Sequence, residues 1–147
     1  MYQLLPPPFL LELIKAGRWK QPDDEKISQL IPFLKEPVIF LLDVESMKRE
    51  TSGLISFLDD PKTSEIFHEY KGSTTSIRDL PWLDVEKALF VAVNRVAGDD
   101  IAVALDYRTS LDNPRVVASD WWAENNSKIL WREVASKFSE FVEKLGI

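Results

Sequence analysis

The chain has 147 residues, 45% of them hydrophobic and 29% charged, with five Trp and eight Phe, which is enough to bury a core without a metal or disulfide staple. It contains no cysteine, which excludes a disulfide framework, a thiol nucleophile and a thiolate metal site, and accords with a reducing compartment. The formal charge of -6 opposes attraction to nucleic acid or anionic lipid and favours a basic partner.

The apolar amino terminus lacks a basic leader, and Pro6, Pro7, Pro8 and Glu12 interrupt it, so it does not read as a signal peptide. No apolar run approaches the roughly 18 residues of a membrane span. The expectation is one cytoplasmic domain over residues 1–147.

In chain order, the three prolines can open a helix carrying Phe9, Leu10, Leu11, Leu13 and Ile14, with Gly17 as its stop. Asp23 and Asp24 suit the start of a second helix, which aligns Ile27, Leu30, Ile31 and Leu34 and is disturbed by Pro32. Residues Pro37 to Leu42 have the composition of a short buried strand. A helix then runs from Asp43 or Ser46 through Met47, Thr51, Leu54, Ile55 and Leu58, weakened by about 1 kcal/mol at Gly53. Asp60 and Pro61 begin another, bearing Ile66, Phe67 and Tyr70 and ending at Gly72.

After the polar connection Ser73 to Ser76, residues 88–94 and 101–107 read as two strands of a hairpin around Gly98-Asp99-Asp100. Residues 114–119 add a third strand after a turn at Ser110 to Asn113. The recurrence of Trp131, Val134, Ala135, Phe138, Phe141, Val142 and Leu145 before Gly146 predicts one amphipathic helix over the whole of that stretch. Helices, then neighbouring strands, then a closing helix make an α+β domain: an antiparallel sheet packed against helices.

The segments GDDIAVALDYR (98–108), NPRVVASD (113–120) and WREVASKFSEFVEKLG (131–146) follow one another here. In this order they resemble the SUKH superfamily, the Smi/Knr-like proteins. A helix followed by Gly17 and Trp19 adds a weaker likeness, while residues 36–70 are longer and more helical than that pattern. The resemblance implies an α+β fold with an antiparallel sheet. It also implies a protein-binding role, typified by bacterial immunity proteins that neutralise a polymorphic toxin, often a nuclease; other members regulate cellular pathways.

Residues 79–124 hold nine acids against four bases, -5 of the total charge. This stretch supplies the candidate partner-binding residues Asp99, Asp100, Asp106, Tyr107, Arg108, Asp120, Trp121 and Trp122: an acidic face with exposed indoles suits a basic protein. Acidic turns and a solvated sheet edge account for the same acids, and Trp121 and Trp122 would equally cover the end of the sheet. Asp106 and Arg108, two apart on one side of a regular strand, are expected to form a surface ion pair worth about 0–1 kcal/mol.

Catalysis finds little support. His68 is the one histidine, no nucleophile setting is recognisable, and the five glycines are scattered rather than grouped in a phosphate loop. No cofactor, metal or direct nucleic-acid contact is expected, although a chance carboxylate pair such as Asp106 with Asp120 could in principle do acid-base work. The two leading readings are an immunity protein and a regulatory or scaffold module for an endogenous cytoplasmic protein. A carboxylate-based hydrolase is the third.

Overall fold

The computed structural model describes residues 5–34, 37–57, 83, 87–95, 101–120 and 130–147. Among them are helices α1 (Pro8–Lys15), α2 (Asp24–Leu30) and α3 (Val44–Phe57), strands β1 (Val38–Phe40), β2 (Ala88–Asn94), β3 (Ala102–Asp106), β4 (Arg115–Asp120) and β5 (Leu130–Ala135), and the closing helix α4 (Phe138–Leu145). The strands form one antiparallel sheet in the order β1-β2-β3-β4-β5. This is the expected α+β fold.

Local chemistry sets the element ends. Proline at the first position of α1 loses no helical hydrogen bond, and Gly17 closes that helix at φ +69°, where the amides of Gly17 and Arg18 bond back to Ile14 and Leu13 in the Schellman pattern. Asp23 caps α2 by accepting from the Lys26 amide at 2.9 Å, and Asp43 caps α3 from the Ser46 amide at 2.7 Å. Pro32 follows the end of α2 at Ile31, whose ψ of 75° is no longer helical. The helix expected from Asp60 to Gly72 lies outside the described residues.

One expectation fails. Residues 131–146 are not a single helix: Leu130–Ala135 is the edge strand β5, and the helix begins only at Phe138. The register explains the error. Val116 pairs with Ala135 but Val117 with Glu133, leaving Val134 as an extra residue in β5. A bulge reverses the side-chain alternation beyond it. Trp131 and Ala135, four apart, are thereby buried on opposite faces of the sheet, and their spacing imitates a helical stripe.

Cross-strand partners share a face, so the register sorts the core. One face carries Val38, Phe40, Leu89, Ala92, Val103, Leu105, Val116 and Ala118, all buried. Rings from the helical layer meet it: Phe40 stacks on Phe141 of α4 and lies 5.2 Å from Trp19, which in turn contacts Phe138. Phe9 of α1 meets Phe138 edge-on at 5.9 Å. The opposite face carries Phe90, Ala102, Ala104, Val117 and Trp131, with the Phe90 and Trp131 rings 6.0 Å apart.

α3 packs against β2 through a buried polar link. The Phe90 amide lies beyond the end of β1 and donates to the Thr51 hydroxyl at 2.9 Å, while that hydroxyl donates to Met47 O at 2.7 Å. One side chain thus satisfies a buried strand amide that has no neighbouring strand.

Candidate functional site

The strand ends that carry or adjoin the candidate residues are at two opposite ends of the sheet. Asp106 ends β3 opposite Arg115, the first residue of β4, whereas Asp120, the last residue of β4, lies opposite Leu130. At about 3.4 Å per residue the five steps from Arg115 to Asp120 separate these ends by roughly 17 Å. An acid-base pair of Asp106 with Asp120 is therefore not formed. Asp99, Asp100, Trp121 and Trp122 lie outside the described residues; the strand ends that they adjoin, at Ile101 and Asp120, are at the same end of the sheet. There the Ala102 amide donates to the Ser119 hydroxyl at 3.0 Å, joining β3 to β4.

At the other end, Asp106 is fully buried, which corrects its assignment to a contact surface. Its Oδ1 accepts from the Arg108 amide at 3.1 Å and from Arg108 Nε at 2.9 Å. Its Oδ2 accepts from Arg108 Nη2 and Arg115 Nε, each at 2.8 Å, with Arg115 Nη2 also at 2.8 Å. Arg115 reaches it as a cross-strand partner. Arg108 reaches it because the chain turns immediately after Asp106, so the pair expected along a regular strand is made across a turn. The ion pair exists, but it belongs to the interior.

The surrounding turn is equally committed. Thr109 Oγ1 donates to Asp106 O at 3.3 Å and accepts from the Arg115 amide at 3.1 Å. The Asn113 amide donates to Ser110 Oγ at 3.1 Å. Asn113 then reaches α4: its Oδ1 accepts from the Ser139 amide at 2.9 Å and its Nδ2 donates to Ser139 Oγ at 2.9 Å. The cap position of α4 is Lys137, which gives no side-chain cap, so Asn113 supplies one from the β3-β4 connection.

Tyr107, another candidate for contact, is also buried. Its hydroxyl donates to Leu5 O at 2.8 Å and its amide to Lys87 O at 2.9 Å, tying the segment ahead of α1 and the residue ahead of β2 to the end of β3. Burial pushes its phenol above the ordinary range.

Electrostatically, burial alone would raise the Asp106 carboxyl, but the hydrogen bonds and charge of Arg108, with Arg115, outweigh it and hold the group below the ordinary 3.8. A carboxylate so saturated stays ionised and has no lone pair directed at a substrate. Its chemistry is structural: it fixes the ends of β3 and β4 and orders the turn between them. Sequence reasoning counted Arg115 only as one of the segment's bases. Its role was available in principle from the hairpin itself, since strands over 101–107 and 114–119 joined by one turn, with 107 facing 114, place 106 opposite 115.

Among the described residues no group of three or more His, Cys, Asp or Glu side chains could hold a metal ion, and no helix is long and apolar enough to cross a membrane. His68 lies outside the described residues. Comparison with protein-family models, with curated proteins and with solved structures finds no match.

Proposed function

We infer that this chain is a non-enzymatic, stoichiometric protein-binding domain of the SUKH kind, an immunity protein that occludes a basic toxin domain such as a nuclease. Its contact residues are Asp99, Asp100, Asp120, Trp121 and Trp122, which include or adjoin in sequence the strand ends at Ile101 and Asp120. One observation carries the reading. Of the nine acids in residues 79–124, Asp106 is neutralised in the interior by two of the four bases, leaving eight acids against Lys87 and Arg95. Arg95 is itself paired with Asp24 at 2.8 Å. By formal count the segment thus stays strongly acidic apart from that cluster, and such an excess accelerates encounter with a basic protein and helps to select it.

The test is affinity capture from an extract of the native cell at low and moderate salt, with mass spectrometry of the retained proteins. The expected result is one basic toxin domain, held less tightly as salt rises. Its association rate should fall when Asp99 and Asp100 are replaced by Lys, and its dissociation rate should rise on Trp122→Ala. Retention of a housekeeping protein, insensitive to these changes, would replace the immunity reading with that of a regulatory or scaffold module for an endogenous cytoplasmic protein.

A further inference from the structure

β1 is an edge strand of three residues, and its backbone divides cleanly into two sides. Toward β2, Pro37 O accepts from the Arg95 amide at 3.0 Å and the Leu41 amide donates to Val91 O at 2.8 Å. Val38 and Phe40 therefore direct their amides and carbonyls away from the sheet. Those outward groups meet a side chain. Gln21 Nε2 donates to Val38 O at 3.2 Å, and the Phe40 amide donates to Gln21 Oε1 at 2.6 Å. The Gln21 carboxamide thus occupies the place of a neighbouring strand's peptide group.

Two nearby contacts hold the connection between α1 and α2 along this edge. Trp19 Nε1 donates to Leu41 O at 2.9 Å, and Arg95, paired with Asp24 of α2, donates from Nη2 to Val38 O at 3.2 Å. Shortness and the covering connection are the defences of this strand; it has no edge charge, internal proline or bulge of its own. Residues 37–42 carry no charge, and Ile39 and Leu42 are 46% and 48% exposed.

We propose that the β1 edge is a latent pairing surface whose partner is the β1 edge of a second copy of this chain, and that the Gln21 carboxamide keeps it closed. The choice of partner follows from self-complementarity. In an antiparallel pair centred on Ile39, the Phe40 amide of each copy would donate to Val38 O of the other, so the groups that Gln21 now serves would serve each other across a twofold axis. The central position is then an Ile39 to Ile39 contact between two exposed apolar side chains, which approach closely at a pair of this type.

The experiment is sedimentation equilibrium of the purified chain over a wide concentration range, combined with hydrogen exchange at the Phe40 amide. The wild-type chain is expected to be monomeric with a slowly exchanging Phe40 amide. Gln21→Ala should self-associate to a dimer at least tenfold more strongly, with Phe40 exchange fast in the dilute monomer and slow in the dimer. Ile39→Lys added to Gln21→Ala should restore the monomer. A folded Gln21→Ala chain that associates no more than the wild type overturns the proposal, as does a dimer that survives Ile39→Lys. If Gln21→Ala loses its fold, Gln21→Leu is read by the same rule. It keeps much of the side-chain bulk and adds no charge, but it can neither donate to Val38 O nor accept from the Phe40 amide.

Discussion

Asp106 shows how a single residue can look like a site and be a fastening. Removing one member of a buried charge cluster leaves the others desolvated and unpaired, which costs about 3–5 kcal/mol. The arginines here are at the margin of the interior, 11% exposed, so the lower figure applies. Asp106→Asn should therefore lose about 3 kcal/mol at pH 7 in urea denaturation, without changing the sheet content seen by circular dichroism. Tyr107→Phe removes one hydroxyl bond to Leu5 O and should cost about 1 kcal/mol, with faster proteolytic cleavage ahead of α1 as its local signature. The sequence made the Asp106 and Arg108 pair legible, because residues two apart in a strand share a side. It left burial and the second arginine hidden, since Arg115 meets Asp106 only once the strands are in register. Asp106 and Tyr107 read as contacts because they belong to the acid-rich hairpin, but their polar groups serve interior bonds.

At the scale of elements, α3 and α4 each add a polar link to the apolar packing of the helical layer, Thr51 to the β2 backbone and Asn113 to the start of α4. Thr51→Val keeps the shape of the side chain but strands the buried Phe90 amide, at a cost of about 2 kcal/mol, whereas Thr51→Ser should lose less; thermal or urea unfolding distinguishes the two. Asn113→Ala removes the cap of α4 and should cost about 1 kcal/mol, with amide exchange accelerated first at Ser139. Neither role is readable from local pattern, because each joins residues at least 26 apart. What was readable followed from short-range chemistry: Pro8 and Gly17 bounding α1, Asp23 opening α2, and the apolar runs of β2 and β3 with an acidic turn signal between them. β5 was lost for the same reason in reverse. Its bulge at Val134 gave a strand the local spacing of a helix, and the true break at Ser136 and Lys137 has no glycine or proline to mark it.

Across the whole molecule, acid stability gathers these contacts into one sign. The carboxyls of Asp24, hydrogen-bonded by Arg95, of Asp43, bonded by the Ser46 amide, and of Glu140, bonded by Ser136, lie below their ordinary values, as does that of Asp106. A depressed folded value means that the unfolded chain binds more protons in the interval below the ordinary value, so stability rises with pH there. The contribution is complete above the ordinary 3.8 for Asp and 4.5 for Glu, and it is lost as pH falls through the folded values. Asp24, Asp43 and Glu140 are at the surface, where salt screens their partners, while Asp106 is shielded from it. In concentrated salt the contribution that survives among these four carboxyls should consequently be mainly that of Asp106. The wild-type chain and Asp106→Asn should then differ by about 3 kcal/mol near neutrality, and the gap should close as pH falls below 3.8, because a protonated Asp106 carries no more charge than asparagine does. Urea midpoints of both chains from pH 6 downward at about 0.5 M salt, where the Debye length is only about 4 Å, measure that gap directly. A constant difference across the range would mean that Asp106 holds the sheet end by shape and hydrogen bonding rather than by charge.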